Sequence, residues 1–138
     1  GVAGLEVSDI ELKRPQPSYT YDTVAVFREQ YGVSIPLYWL VGADAIADLP
    51  YWYRIGELLD RCQLCIMYRA GYERPSLKAL QHRFRPDQIQ ALEQHVIPTP
   101  LVDISSTEVR RCIAAGQAGV DILCPDVLEY IVKNKLYH

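Results

Sequence analysis

The chain has 138 residues, 49% hydrophobic and 22% charged, with a formal net charge of −3 at pH 7, the size and composition of one globular domain able to bury a core. The slight acidic balance argues against non-specific binding to nucleic acid. No apolar run reaches the length of a membrane span, and the opening GVAGLEVSDIEL lacks a basic-then-apolar leader pattern, so a cytoplasmic protein is expected.

Leu5-Glu6-Val7 alternates as a short strand does, and KRPQPS (13–18) is a loop punctuated by two prolines. Thr20 is placed to cap a helix running to about Tyr31, with Val24, Phe27 and Tyr31 as its core face and Gly32 as its stop. PLYWLVG (36–42) is continuous and apolar, the pattern of a strand buried on both faces in a parallel sheet. ADAIADL (43–49) is a short helical turn, and YWYRIGELLDRC (51–62) is amphipathic with Ile55, Leu58 and Leu59 on one side. QLCIMYR (63–69) is a second buried strand, closed by AGY. SLKALQHRF and PDQIQALEQH (76–95) read as two solvent-facing helices, opened by Ser and by Pro-Asp. LVDIS (101–105) reads as a third buried strand, SSTEVRRCIAAG as a helix stopped by Gly116, and CPDVLEYIVKNKLY (124–137) as a last helix with Pro125 at its first position. Strands alternate with helices, which predicts an α/β fold on a mainly parallel sheet.

Two clusters carry possible chemistry. Cys62 and Cys65 form a C-x-x-C, but Cys112 and Cys124 lack the spacing of a second zinc-ligand pair. Small buried hydrophobes are the expected role, with zinc or redox chemistry the lesser alternative. Ser105-x-x-Glu108 has the spacing of a capping box where a strand hands over to a helix. The free N–H groups and positive dipole end there attract anions. Ser106 and Thr107 add hydroxyls, and Arg110 one turn on has the forked donor suited to a phosphate. The alternative is that Ser105 only caps and Arg110 only makes a surface pair.

I-S-S-T-x-x-R at 104–110 resembles the C-terminal signature of nucleotidyltransferases that carry an N-terminal histidine motif. S-Y-T-Y-D-T at 18–23 resembles the SYTxDT motif of bacterial nicotinate-nucleotide adenylyltransferase. G-A-D at 42–44 with Leu49 and W-Y at 52–53 resembles that family's GxDxxxxLxxWY segment. M-Y-R-A-G-Y at 67–72 resembles its R-P-G loop, with Ala70 in place of Pro, and DILCPDVLEYIVKNKLY resembles its ending. The likeness covers nearly the whole chain, in order.

The resemblance implies a Rossmann-like doubly wound parallel sheet and transfer of the adenylyl group of ATP to nicotinate mononucleotide, giving deamido-NAD and pyrophosphate, with Mg²⁺ accompanying ATP. It assigns Gly42, Asp44, Arg69, Ile104, Ser105, Ser106, Thr107 and Arg110 to ATP, and Tyr19, Thr20, Trp52 and Tyr53 to the nicotinate nucleotide. These assignments make physical sense. Trp52 offers a face on which to stack the pyridine ring, or is simply a core aromatic. Backbone N–H groups at Thr20 and Tyr53 suit a carboxylate better than a carboxamide, whose NH₂ would face them. Gly42 permits close approach to a strand end. Asp44 has the chemistry to accept from a ribose hydroxyl or help hold hydrated Mg²⁺, or is only a helix-start carboxylate. Arg69 faces the phosphates or solvates the rim. A homo-oligomer is left open.

The family's G-x-F-D-P-x-H-x-G-H stretch and its P-N-x-x-P-P-H segment do not occur in the 138 residues. His82, His95 and His138 are expected at the surface, and no catalytic residue is assigned. In a sheet of order 3-2-1-4-5 the segment Leu5–Val7 would be the third strand, followed by PLYWLVG and QLCIMYR. Residues 1–138 are therefore expected to be the C-terminal two-thirds of a single nucleotidyltransferase domain, inactive alone. The alternatives are a pantetheine-phosphate adenylyltransferase, against which SYTYDT and Trp52-Tyr53 argue, and a non-catalytic nucleotide-binding or interaction module.

Overall fold

The computed structural model describes residues 3–102, 105–116 and 123–137. They fall into two compact units, Gly1–Pro100 and Leu101–His138. The first holds a three-stranded parallel sheet, β1 (Tyr38–Gly42), β2 (Gln63–Arg69) and β3 (Val96–Thr99), in the order β1-β2-β3. The register sets Trp39 beside Leu64 and Val41 beside Ile66, while Ile66 pairs with Val96 on the other side. Helices α1 (Thr20–Tyr31), α2 (Ile55–Arg61) and α3 (Pro86–Gln94) complete this unit. The α/β parallel architecture read from the pattern is the one found.

Its core lies on the face carrying Leu64 and Ile66, which pack with Leu49, Leu77, Leu80, Ile89, Leu92 and Val96. Tyr21, Val24, Leu58 and Cys62 form a second cluster that joins α1 to α2. Trp39 and Trp52 touch both clusters. β2 is buried as expected, but β1 is not buried on both faces. It is the sheet's edge in this unit, and Tyr38 and Leu40 project from the face opposite the core, exposed.

The termini of the elements differ from the reading by pattern. Residues 5–7 form no strand and Leu5 and Val7 are exposed. An extended segment becomes a strand only beside a partner, and none among the described residues pairs with it. Tyr19, extended at φ −100° and ψ 143°, is the N-cap of α1, so Thr20 is its first helical residue rather than its cap. Gly32, at φ 78°, ends the helix and donates its N–H to Arg28 O at 3.0 Å. The buried side of α1 is Tyr21, Thr23 and Val24, with Tyr31 exposed, because Leu58 and Cys62 of the α2 segment sit against Tyr21 and Val24.

Of the two solvent-facing helices expected over 76–95, the first is only a 3₁₀ turn at Lys78–Leu80. Pro86 holds Arg85 extended, at ψ 152°, and so separates the segments. Gln88 Oε1 accepts from Arg85 N–H at 3.2 Å and closes the start of α3. Both segments bury apolar side chains, Leu77 and Leu80 from one and Ile89 and Leu92 from the other. The third strand is Val96–Thr99 rather than 101–105. The chain enters the ladder straight from α3, with Ile66 N–H donating to His95 O at 2.8 Å and Ala70 N–H to Thr99 O at 2.8 Å. Pro100 follows with no donor to extend it. Leu101 and Val102 are exposed, and residues 103–104 lie outside the described residues.

The second unit contains α4 (Ser106–Ala114), followed by Gly116 at φ 63° as expected, and α5 (Pro125–Lys133), which has Pro125 at its first position as expected but ends at the C-cap Asn134, short of the expected residue 137.

Candidate functional site

Tyr19, Thr20, Trp52 and Tyr53, which are far apart in sequence, line one pocket of about 300 Å³ with Ser18 and Tyr51. Two features of the chain bring them together. The first helical turn of α1 presents Thr20, whose N–H is one of the unpaired donors at a helix start. A 3₁₀ turn at Leu49–Tyr51 then reverses the backbone, because Trp52 is extended at ψ 142°. Neither Thr20 N–H nor Tyr53 N–H has an acceptor among the described residues. The walls are aromatic, with the Tyr19 and Tyr53 rings stacked at 4.4 Å and 26°. Trp52 is half-buried: it packs on both core clusters, as a core aromatic does, and also lines the pocket.

Gly42, Asp44 and Arg69 line a second cleft, of about 440 Å³, with Ala43, Met67, Tyr68, Tyr72, Glu73 and Pro75. It lies at the C-terminal ends of β1 and β2, where open parallel sheets bind ligands. Gly42 is in ordinary extended backbone at φ −73° and ψ 156°. Its lack of a side chain matters for space: a Cβ there would overlap Asp44 Oδ1, well inside van der Waals contact. Asp44 and Arg69 are exposed and make no ion pair among the described residues.

Ser105, Ser106, Thr107 and Arg110 belong to the other unit, and Ile104 lies outside the described residues. Ser105 is the N-cap of α4, at φ −108° and ψ 126°, but its side chain makes no capping hydrogen bond. The expected capping box does not form. Glu108 instead accepts the Arg111 guanidinium, from Nε at 3.1 Å and Nη2 at 2.5 Å. A charge-assisted fork outweighs a neutral cap, and the same contact holds the Glu108 carboxyl below its ordinary range. The hydroxyls of Ser105, Ser106 and Thr107 are exposed at this helix start. Arg110 makes no carboxylate pair among the described residues; its guanidinium lies 5.7 Å from the centre of the Tyr137 ring.

Cys62 and Cys65 are free and buried, as small hydrophobes would be. Burial pushes the Cys62 thiol up to about 11, away from the thiolate that metal binding or redox chemistry needs. His82 is exposed as expected, while His95 is half-buried, its Nδ1 2.9 Å from Ala91 O. The capture by a helix carbonyl follows from its place at the end of α3. His138 lies outside the described residues.

Residues missed from the pattern lie next in sequence to those that line the first pocket. Arg54 adopts a left-handed backbone (φ 52°, ψ 38°) and pairs with Glu57. Its guanidinium lies 4.2 Å from the centre of the buried Tyr21 ring. Only the i, i+3 spacing of Arg54 and Glu57 was visible beforehand. In the second cleft, Tyr72, which closes the R-A-G-Y turn, and Glu73, which follows it, were given no role from the pattern.

The cytidylyltransferase-like family model matches residues 3–112. The chain belongs to the cytidylyltransferase-like family. Relatives similar to it are probable nicotinate-nucleotide adenylyltransferases, as the motifs suggested. That of Gloeobacter violaceus is 38% identical across 99% of this chain. Those of Yersinia pestis and Pelobacter propionicus are 35% and 32% identical, across 95% and 99% of it. The chain spans 65%, 64% and 68% of their respective lengths. Among solved structures, Plasmodium falciparum nicotinic acid mononucleotide adenylyltransferase complexed with APC is similar in fold, with TM-score 0.54 and 20% identity, covering 86% of this chain and 58% of that one. The same enzyme complexed with NaAD superposes with the same TM-score. The family match and the similar fold agree with the parallel α/β sheet of the first unit.

Proposed function

We propose that the protein containing this chain transfers the adenylyl group of ATP to nicotinate mononucleotide, giving deamido-NAD and pyrophosphate, as a cytoplasmic enzyme of NAD biosynthesis. The observation that carries this reading is the aromatic pocket with two unpaired backbone donors, Thr20 N–H and Tyr53 N–H. Two N–H groups on residues that line one pocket match the two oxygens of a carboxylate; a carboxamide would turn a donor toward one of them. Trp52, Tyr19 and Tyr53 supply flat apolar faces for a pyridine ring. The printed names of the relatives support the same substrate.

ATP is assigned to the cleft at the strand ends and to the helix start of α4. Asp44 accepts from the ribose, Arg69 and Arg110 offer charged donors to phosphates, and Ile104, Ser105, Ser106 and Thr107 form the triphosphate segment. Asp44 and Glu73 are carboxylates on one cleft and fit a hydrated Mg²⁺ held by one or two carboxylates together with substrate phosphates. When bound, Mg²⁺ supplies charge neutralisation at the phosphates. The chain's own residues contribute positioning: the aromatic pocket orients the mononucleotide so that its phosphate attacks the α-phosphorus of ATP in line. Preorganised charge at that phosphorus falls to the histidine motif, which these 138 residues do not contain. They are therefore expected to form the C-terminal two-thirds of a single nucleotidyltransferase domain, binding both substrates without transferring.

Calorimetric titration of the chain with each ligand, and with one in the presence of the other, tests this. Separate, non-competing binding of ATP and nicotinate mononucleotide, with no deamido-NAD formed by the chain alone, is expected. No binding of the mononucleotide, or its displacement by ATP, would end the assignment of two sites.

A further inference from the structure

We infer that Arg54 is a positioning residue that sets the preference of the aromatic pocket for a ring carboxylate over a carboxamide. The inference rests on the reading of that pocket as the nicotinate site. Arg54 does not line the pocket, but it follows Tyr53, whose N–H is one of the two donors. Its backbone is left-handed, a conformation that costs energy for a residue with a side chain and persists only where the surroundings enforce it.

The surroundings that enforce it are visible. Glu57, one turn into α2, accepts from Arg54 Nε at 2.7 Å and also pairs with Nη2. The guanidinium held in this way lies 4.2 Å from the centre of the Tyr21 ring, with Arg61 at 5.0 Å. Tyr21 is 5% exposed and its hydroxyl approaches Glu57 Oε2 at 3.5 Å. Tyr21 in turn meets the edge of Tyr53 at 6.0 Å and 83°, and Tyr53 stacks on Tyr19. Five side chains thus run in series, Glu57, Arg54, Tyr21, Tyr53 and Tyr19, and the last two are pocket walls.

The series joins the two backbone donors. Leu58 N–H donates to Arg54 O at 2.9 Å, so Arg54 is tied to α2, while Tyr21 belongs to the first turn of α1 beside Thr20. Locking Arg54 over Tyr21 therefore fixes the place of Tyr53 N–H relative to Thr20 N–H. Two donors at a fixed separation grip both oxygens of a carboxylate. A carboxamide gains only from the one that meets its oxygen. Loosening the lock should therefore weaken the carboxylate ligand and leave the carboxamide ligand nearly unaffected.

The test variant is Arg54→Gly, since glycine keeps the left-handed backbone without a side chain, whereas Arg54→Ala would add strain of its own. Binding of nicotinate mononucleotide and of nicotinamide mononucleotide to the protein is measured by calorimetry, with melting temperature alongside. The expected result is about a tenfold or greater loss of affinity for the nicotinate form, the size of one charge-assisted hydrogen bond. Affinity for the nicotinamide form should change less than about twofold on the same scale, with little change in melting temperature. Unchanged binding of both ligands overturns the inference. So does a parallel loss of both with a large fall in melting temperature, which would make Arg54 structural only. A wild-type protein that binds neither ligand, or shows no preference for the nicotinate form, overturns the reading of the pocket itself and the inference with it.

Discussion

Gly42→Ala separates folding from nucleotide binding, because the structure predicts opposite signs for the two. The backbone at Gly42 is extended and open to any residue, at φ −73° and ψ 156°. Alanine fits it and narrows the unfolded chain, which stabilises by about 0.4–1 kcal/mol. The new Cβ overlaps Asp44 Oδ1, the tip of a short exposed side chain that is able to rotate away. Folding should therefore lose little, and the melting temperature should hold or rise slightly. Under the proposed assignment of ATP to this cleft, however, the displaced carboxylate would no longer meet the ribose or the hydrated Mg²⁺. One charge-assisted contact is worth about 1.5–3 kcal/mol, or roughly 10- to 150-fold in ATP affinity. Titration with MgATP measures it, and Asp44→Ala is the control. Since both substitutions remove the same contact, the double variant should bind ATP no worse than the weaker single variant. The reasoning fails if Gly42→Ala binds ATP as the wild type does, or if the losses of the two variants add.

Substitutions at three further positions follow from the structure. Trp52 packs on both clusters and lines the pocket, so Trp52→Ala should lower the melting temperature and also weaken nicotinate mononucleotide by about 1–3 kcal/mol of lost stacking. Trp52→Phe should recover most of the stability and part of the binding, while ATP affinity stays put in both, as paired thermal melts and titrations would show. Arg110→Ala should cost ATP about 1.5–3 kcal/mol and the mononucleotide little; an unchanged ATP titration would leave Arg110 a partner of Tyr137 alone. Arg85 holds the Asp60 carboxyl below its ordinary range, chiefly through its hydrogen bonds at 2.6 and 3.2 Å. A depressed carboxyl stabilises the fold above its unfolded value and loses that contribution as pH falls through its folded one. The wild type should therefore melt above Arg85→Met at pH 7, and the gap should close below about pH 4.

The central elements were legible because their signals are local. QLCIMYR has the length and the apolar middle, Leu64 to Met67, of a buried strand, and Gly32 and Gly116 stop helices through their own positive φ. What pattern reading missed depends on partners. Leu5–Val7 alternates correctly but has no strand beside it among the described residues, and Tyr38 and Leu40 are apolar but exposed on an edge strand. The capping box at Ser105 has the right spacing, yet Arg111 competes for Glu108 and wins. Trp52 and Thr20 could be named as candidate ligand residues from motifs, and the fold brings them to one pocket. The lock of Arg54 on Tyr21 could not, because it joins residues from two helix starts through a backbone conformation that nothing in the sequence signals.

The most direct test is amide NMR of the chain during titration with nicotinate mononucleotide. If the carboxylate is held by Thr20 N–H and Tyr53 N–H, these two amide protons should move downfield, as donors to an anion do, with the neighbouring resonances of Trp52 and Tyr19 following the ring. Nicotinamide mononucleotide should leave at least one of the two amides in place. Downfield shifts elsewhere in the chain with Thr20 and Tyr53 unmoved, or identical shifts from both ligands, would contradict the assignment of this pocket to the nicotinate carboxylate.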